Sequence, residues 1–249
     1  MSSYKKAYTV LADFYEHLMN KVNYDAWAEY LYDIIKDSIP TDSNVLELAG
    51  GSGSISFYLQ KYFHEYILTD KSWYMLNKAS EYSLSLVCCD MQYLPFKKKF
   101  GLILSTFDSV NYLLTKKSLQ NMFSSVQKIL DENGIFTFDA SLFMNSIALA
   151  EEKVTTNKYK NIHYKQISHY DTESRIHSNV FIINLPGQNE IVEIHRQRIW
   201  DFEEYFDIMD KCGLYVVDCF ENFTMKKGKP TSKRVQFIVR KSNKDAVIQ

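Results

Sequence analysis

Val45-Leu46-Glu47-Leu48-Ala49-Gly50-Gly51-Ser52-Gly53 carries a short apolar run into a turn of small residues, and Ser54 to Lys61 then reads as a helix. A strand ending in such a turn lets a ligand approach the backbone closely. The free N–H groups at the start of the next helix favour electron-rich ligand atoms. The 249-residue chain has eight glycines, where average usage of about 7% would give roughly 17, and three of them are Gly50, Gly51 and Gly53. That clustering answers a local backbone demand rather than a general need for loops.

Downstream, short apolar runs at Val45 to Ala49, Tyr66 to Thr69, Leu84 to Cys88, Leu102 to Ser105 and Ile135 to Phe138 alternate with helix-like stretches. This alternation predicts a parallel α/β sheet. The clearest helix, about 116 to 130, aligns Leu119, Met122, Phe123, Val126, Ile129 and Leu130 on one face. After residue 155 the period becomes two, near 159–170, 174–185 and 190–200, which predicts an antiparallel block. Asp201 with Glu204 has capping-box spacing, opening a helix that Gly213 closes, and strands follow near 214–222 and 233–240. Residues 4–37 read as two amphipathic helices.

The acids after the turn sharpen the functional reading. Asp70 ends the second predicted strand, 17 residues beyond Gly53, where a carboxylate can accept both hydroxyls of a ribose, and Asp90 follows the third. Ligands of open α/β sheets bind at the carboxyl ends of such strands. A nicotinamide oxidoreductase shares the glycine-turn and ribose-acid signals. Position 56, however, is Ser where its third fingerprint glycine belongs, and Glu47 has no role there.

The stretch from about 40 to 140 resembles the class I S-adenosylmethionine-dependent methyltransferases. Glu47 matches their first-motif acid, and Ala49, Gly51 and Gly53 match the three small positions, with Ala49 in place of the first glycine and Gly50 between them. Asp70-Lys71-Ser72-Trp73-Tyr74-Met75-Leu76 resembles the segment whose Asp takes the ribose hydroxyls and whose Met packs on adenine. Asp90, followed by Met91, matches the acid near the adenine amino group. Gly101 stands where the family has Asp in F-D-L-I, and Leu130 to Gly134 resembles its L-x-x-G-G turn, with Asn133 expected in a left-handed conformation.

The ends resemble a subset that includes glycine N-methyltransferase and the amino-sugar N,N-dimethyltransferases. Its N-terminal aromatics, here Tyr8, Tyr15, Tyr24 and Trp27, cover the cofactor. The resemblance implies an α/β, Rossmann-like seven-stranded sheet with N-terminal helices and an antiparallel β insertion over the site. The expected division is a helical cap at 1–38, a cofactor-binding core at 39–155 and 201–241, an acceptor lid at 156–200 and a polar tail at 242–249. S-adenosyl-L-methionine is the implied cofactor. Its site would comprise Glu47, Ala49, Gly50, Gly51, Gly53, Asp70, Lys71, Met75, Asp90, Met91, Phe107, Tyr8 and Trp27.

Methyl transfer from a sulfonium needs alignment and an acceptor lone pair, with no nucleophilic side chain; a displaced proton can go to a neutral His, a carboxylate or water. His195 is the preferred candidate base, on the block expected to roof the site, with Tyr15 and Asp108 as further candidates. For each, an ordinary structural role stays open. Composition narrows the rest. Net charge is −1, from 29 basic and 30 acidic side chains, which offers nucleic acid or anionic membrane no global attraction. Lys226 to Arg234 and Lys97 to Lys99 are local basic runs, expected to be solvated. No apolar run exceeds four residues, so no spanning segment or signal-peptide centre is expected, and a cytoplasmic enzyme is. The four cysteines lack metal-ligand spacing and read as reduced thiols, so no metal is expected. The expected acceptor is a small molecule methylated at N or O by a monomer or homodimer. The alternatives are an RNA or protein methyltransferase, or a cofactor-binding protein without transfer activity.

Overall fold

The computed structural model describes residues 2–151 and 154–242. Its main sheet contains β2 (Asn44–Leu48), β3 (Glu65–Asp70), β4 (Ser85–Cys88), β5 (Phe100–Ser105), β6 (Leu130–Ser141), β11 (Leu214–Glu221) and β12 (Arg234–Lys241). Their spatial order is β11-β12-β6-β5-β2-β3-β4. The pairs from β4 to β6 are parallel, whereas β12 runs antiparallel to both β6 and β11. The order reverses beside β2, and this switch point fixes where a ligand crevice opens.

Helices cover both faces at the centre of the sheet, as its buried strands β2, β3 and β5 require. On one side α5 (Lys116–Ile129) and α7 (Phe202–Lys211) pack Leu119, Met122, Phe123, Val126, Tyr205 and Met209 against Phe136, Phe138 and Phe237. On the other, α2 (Tyr24–Ile35) and α3 (Ser54–Leu59) pack Trp27, Leu31, Ile35, Ile55 and Leu59 against Val45, Leu102 and Leu104. The Glu204 carboxylate accepts from Asp201 N at 3.1 Å, so the expected cap at the start of α7 is present.

A second sheet, ordered β1-β10-β9-β8-β7, comprises β1 (Ser3–Lys5), β7 (Val154–Tyr159), β8 (Ile162–Asp171), β9 (Ile176–Asn184) and β10 (Ile191–Arg198). Its β7–β10 portion is antiparallel, and α6 (Phe143–Glu151) leads into it. The chain start differs from the expected helix. Residues 3–5 form β1, parallel to β10, before a 3-10 turn at Leu11–Phe14 and the single-turn α1 (Tyr15–Leu18). Leu11 and Phe14 bury themselves against Tyr164, Phe181, Ile183 and Ile191, which binds this segment to the second sheet.

Two further local expectations change. β6 begins directly at Leu130, pairing with Phe100, so residues 130–134 are strand, and Asn133 is not among the left-handed residues described. Gly101 stands at a register shift in β5, where a Cβ would come within 2.8 Å of Ser43 Cβ; the missing Asp is thus a matter of space. The expected tail beyond Ser242 lies outside the described residues.

Candidate active site

A cavity of about 700 Å³ opens at the carboxyl ends of β2, β3, β4 and β5, beneath β8, β9 and β10. Each of the four parallel strands contributes the residues just past its last apolar position. Ala49, Gly50 and Gly51 follow β2; Asp70 and Lys71 close β3; Asp90 and Met91 follow β4; Phe107 and Asp108 follow β5.

The glycine turn is shaped by backbone and space together. Gly51 has φ +61° and donates its N–H to Asp70 Oδ2 at 2.9 Å. At Gly50 a Cβ would lie 2.8 Å from Leu68 Cδ1, so nothing larger fits beneath the turn. Asp70 Oδ1 also accepts from Ser72 N at 2.7 Å. Burial raises the Asp70 carboxyl above its ordinary range, against the pull of the Ser72, Gly51 and Lys71 amides. Met75, capped into α4 (Trp73–Ala79) by the Ser72 hydroxyl, lines the same side, with its methyl 3.2 Å from where a Gly51 Cβ would stand. Asp90 accepts from Lys71 Nζ at 2.6 Å and from Gln92 N at 2.9 Å. Burial opposes the shift, but Lys71 and Gln92 hold Asp90 below the usual carboxylate range.

Three residues assigned to the cofactor from the sequence do not line the cavity. Glu47 is fully buried behind the turn, where its carboxylate accepts from Ser56 Oγ and Tyr66 Oη, both at 2.5 Å. Burial pushes its pKa up to about 7. Gly53 is the N-cap of α3, with its Cβ direction closed by Ala79 and Tyr82. Trp27 stands behind Phe107, ring centroids 4.3 Å apart, and shapes the wall through that ring.

The roof is built by strand periodicity. Residues 193, 195 and 197 share one face of β10, and His195 and Gln197 line the cavity with Gln166 of β8 and Asn179 and Phe181 of β9. Gln166 Nε2 donates to Asn179 Oδ1 at 2.9 Å. Tyr8 and Tyr15, from the N-terminal segment, meet edge to face at 5.9 Å. The Tyr8 and Tyr112 hydroxyls are 2.7 Å apart, and Tyr112 Oη lies 3.2 Å from His195 Nδ1. Burial raises the pKa of Tyr8, Tyr15 and Tyr112 above the ordinary phenol range, so all three are neutral at physiological pH.

Asp108 lines the cavity, but its carboxylate is already engaged. Oδ2 accepts from Ser141 Oγ at 2.5 Å and lies 3.2 Å from Arg234 Nη2, while Arg234 also binds buried Asp139. Asp139 in turn accepts from Asp108 N at 2.9 Å. This network holds a backbone of low intrinsic population. Tyr8, Ala49, Phe107 and Asp108 are four of the seven non-glycine residues with positive φ among those described, and all four line the cavity. Such strain concentrates at functional sites, where surrounding contacts over-determine the conformation.

Sequence reasoning missed Gln166, Asn179 and Gln197, although once His195 faced the site the period of two also pointed to Gln197. It also missed Glu16, whose carboxylate accepts from Ser54 Oγ at 2.9 Å and from Ser52 Oγ, pinning α1 onto the glycine turn.

Residues 45–134 match a family described as a methyltransferase domain. That segment is thus a methyltransferase domain, and the chain around it has the class I methyltransferase fold. Among its relatives is the Bacillus subtilis (strain 168) protein named "Putative methyltransferase YqeM". The two are 28% identical over 244 residues, spanning 94% of this chain and 97% of that one. An S-adenosylmethionine-dependent methyltransferase from Clostridium acetobutylicum ATCC 824 superposes with a TM-score of 0.80 at 21% identity, over 94% of this chain and 99% of that chain. The sugar N-methyltransferase KedS8 from Streptoalloteichus sp ATCC 53650 gives 0.75 at 14% identity, over 97% of each chain.

Proposed function

We propose that this enzyme methylates a nitrogen or oxygen of a small, polar, uncharged acceptor held between the glycine turn and the roof of the second sheet. The observation that carries this reading is the chemistry of the roof: the Gln166, Asn179 and Gln197 carboxamides offer neutral donors and acceptors, His195 offers its imidazole, and Phe181 offers a flat apolar face. A carboxamide can both donate and accept, which suits hydroxyl and amine groups. A phosphorylated or acidic acceptor would call for an Arg or Lys in that roof, whereas the two lysines that line the cavity, Lys6 and Lys71, come from the N-terminal segment and the end of β3. Enclosure by Tyr8, Tyr15 and Tyr112 favours a compact molecule over an RNA or protein chain. The sugar N-methyltransferase KedS8 shares the fold.

In this reading the residues divide the work between holding and aligning. The Asp70 carboxylate would hold the two ribose hydroxyls, Met75 and Met91 would pack against the adenine, and Asp90 would take its amino group. Ala49, Gly50 and Gly51 would admit the amino-acid end close to the backbone, and a side chain at Gly51 would crowd that space beside Met75. Phe107, backed by Trp27, and Tyr8 and Tyr15 exclude water from the reacting atoms. The bound cofactor supplies an activated methyl on a sulfonium, so the protein's contribution is alignment at about 3–3.5 Å and removal of a proton. Asp108, tied to Arg234, serves by fixing the loop after β5. His195 is the group free to take a proton.

Four free cysteines among the described residues fit a reducing compartment, and we propose a cytoplasmic location on that ground. No described helix is long and apolar enough to cross a membrane. The test is transfer of a labelled methyl from S-adenosylmethionine to a cell extract split into small-molecule, RNA and protein fractions. Label in the small-molecule fraction is expected; label confined to RNA or protein refutes the assignment.

A further inference from the structure

Two buried polar atoms facing one another lack a hydrogen-bond partner of good geometry: Glu193 Oε2 and His195 Nε2, 3.5 Å apart. Glu193 is fully buried, and its other oxygen accepts from the amides of Val10 and Leu11, the latter at 3.1 Å. The carboxylate therefore points a negative edge at the imidazole. No other charged group within ion-pair distance of His195 is found among the described residues.

An acceptor-only oxygen beside one ring nitrogen determines which nitrogen carries the proton. Facing Glu193, Nε2 bears the hydrogen, and Nδ1 is left with a lone pair. Tyr112, 3.2 Å from Nδ1, then donates its hydroxyl hydrogen to His195. Its oxygen must in turn accept from Tyr8, 2.7 Å away. The direction of every bond in the series follows from Glu193. The Tyr8 oxygen is the last in line: it receives no hydrogen bond among the described residues, and Tyr8 lines the cavity. Its vacant lone pair suits a ligand N–H or O–H.

We infer that Tyr8, Tyr112 and His195 form one directed hydrogen-bond chain that takes the proton displaced from the methyl acceptor, with Glu193, beside His195 Nε2, as the positioning residue that fixes the His195 tautomer. This rests on the reading of the enzyme as an N- or O-methyltransferase of a small molecule. The bond from the acceptor nitrogen or oxygen to the methyl carbon forms as the carbon–sulfur bond breaks, and that electron pair stays on sulfur. The acceptor's proton passes to the Tyr8 oxygen, the Tyr8 proton to Tyr112, and the Tyr112 proton to His195 Nδ1. The resulting imidazolium faces the Glu193 carboxylate, and in a buried setting such a pair attracts far more strongly than in water. The tyrosines begin and end neutral, as their raised pKa values require.

The chain also ties proton handling to closure of the site. The Val10 and Leu11 amides that hold Glu193 belong to the segment that brings Tyr8 and Tyr15 over the cavity. Displacing that segment would separate Tyr8 from Tyr112 and free the carboxylate that orients His195.

Long-range ¹H–¹⁵N NMR of the full chain tests this without an acceptor, with His195→Gln assigning the signal. The wild-type protein is expected to show His195 protonated at Nε2, with Nδ1 accepting a hydrogen bond. Tyr112→Phe should shift Nδ1 toward a free nitrogen, and Glu193→Gln should lose the single tautomer. In the labelled-methyl assay with the small-molecule fraction, His195→Gln and Tyr112→Phe should each lower turnover by about 10²–10⁴-fold, the range for a positioned acid or base. A His195 protonated at Nδ1 in the wild-type chain overturns the inference, as does full turnover in Tyr112→Phe. If Glu193→Gln does not fold, those two results still decide. Failure of the wild-type enzyme to label small molecules would refute the acceptor assignment instead, leaving the tautomer to judge the chain.

Discussion

Replacing Glu47 with Gln should make the protein more stable at neutral and alkaline pH. The Glu47 carboxyl is fully buried beneath the glycine turn, within reach of three hydroxyls and no cation, and its pKa rises from an ordinary 4.5 to about 7. A carboxyl with a higher pKa folded than unfolded binds its proton more tightly in the folded state. Its contribution is therefore most favourable below the unfolded pKa and declines as pH rises through the folded one. Each pH unit across that window corresponds to about 1.4 kcal/mol, so roughly 3 kcal/mol is lost between pH 4.5 and 7. The substituted carboxamide carries no charge to desolvate, and it retains an oxygen that can accept from the hydroxyls now donating to Glu47. At pH 8 the variant should exceed the parent by up to about 3 kcal/mol, with the two converging near pH 5. Urea unfolding at pH 5, 6, 7 and 8 measures this directly. An identical pH slope in parent and variant would refute the assignment of that slope to Glu47. Because Glu47 does not line the cavity, cofactor affinity should change by less than about tenfold, the equivalent of 1.4 kcal/mol.

Arg234→Gln leaves Asp139 and Asp108 without their cation and should cost about 3–5 kcal/mol in chemical unfolding; a loss below about 1 kcal/mol would show that the network does not hold the loop after β5. Ala49 adopts φ +51°, where a Cβ costs roughly 1–2 kcal/mol. Ala49→Gly should accordingly raise Tm by about 2–4 °C for each kcal/mol relieved, and a lowered Tm in calorimetry would contradict the strain argument. Lys71→Ala removes an exposed partner of Asp90 and should change stability by less than about 1 kcal/mol; a larger drop in urea unfolding would mean the pair matters to the fold.

The main sheet was legible because its central strands β2, β3 and β5 are almost wholly buried and read as short apolar runs, two of them followed closely by Gly53 and Asp70. The missed strands have the opposite character. β7 is Val-Thr-Thr-Asn-Lys-Tyr, exposed at five of its six positions, and β1 is an edge strand of three residues with Tyr4 largely exposed. Neither carries an alternation to detect, and both are held by pairing with a neighbour. The strand-end side of the cavity was legible because its residues follow the apolar runs, within a few positions of the glycine turn or an acid. Trp27 and Glu47 show the limit: both belong to the right region, but a motif position does not reveal whether a side chain faces the ligand or supports the surface that does. The roof was harder still. Tyr112, Gln166 and Asn179 are brought together by contacts across tens of residues, and a carboxamide in a polar strand carries no signature of its own.

The claim on which the rest depends is that the cavity beneath Gly51 and Asp70 holds S-adenosylmethionine, and titration calorimetry of the cofactor into wild-type and Asp70→Ala protein tests it most directly. Two hydrogen bonds from ribose hydroxyls to a carboxylate, each at about 1.5–3 kcal/mol, predict a loss of at least about 100-fold in affinity. Gly51→Arg, which forces a side chain into the turn, should abolish binding. Unchanged affinity in both variants would contradict the assignment.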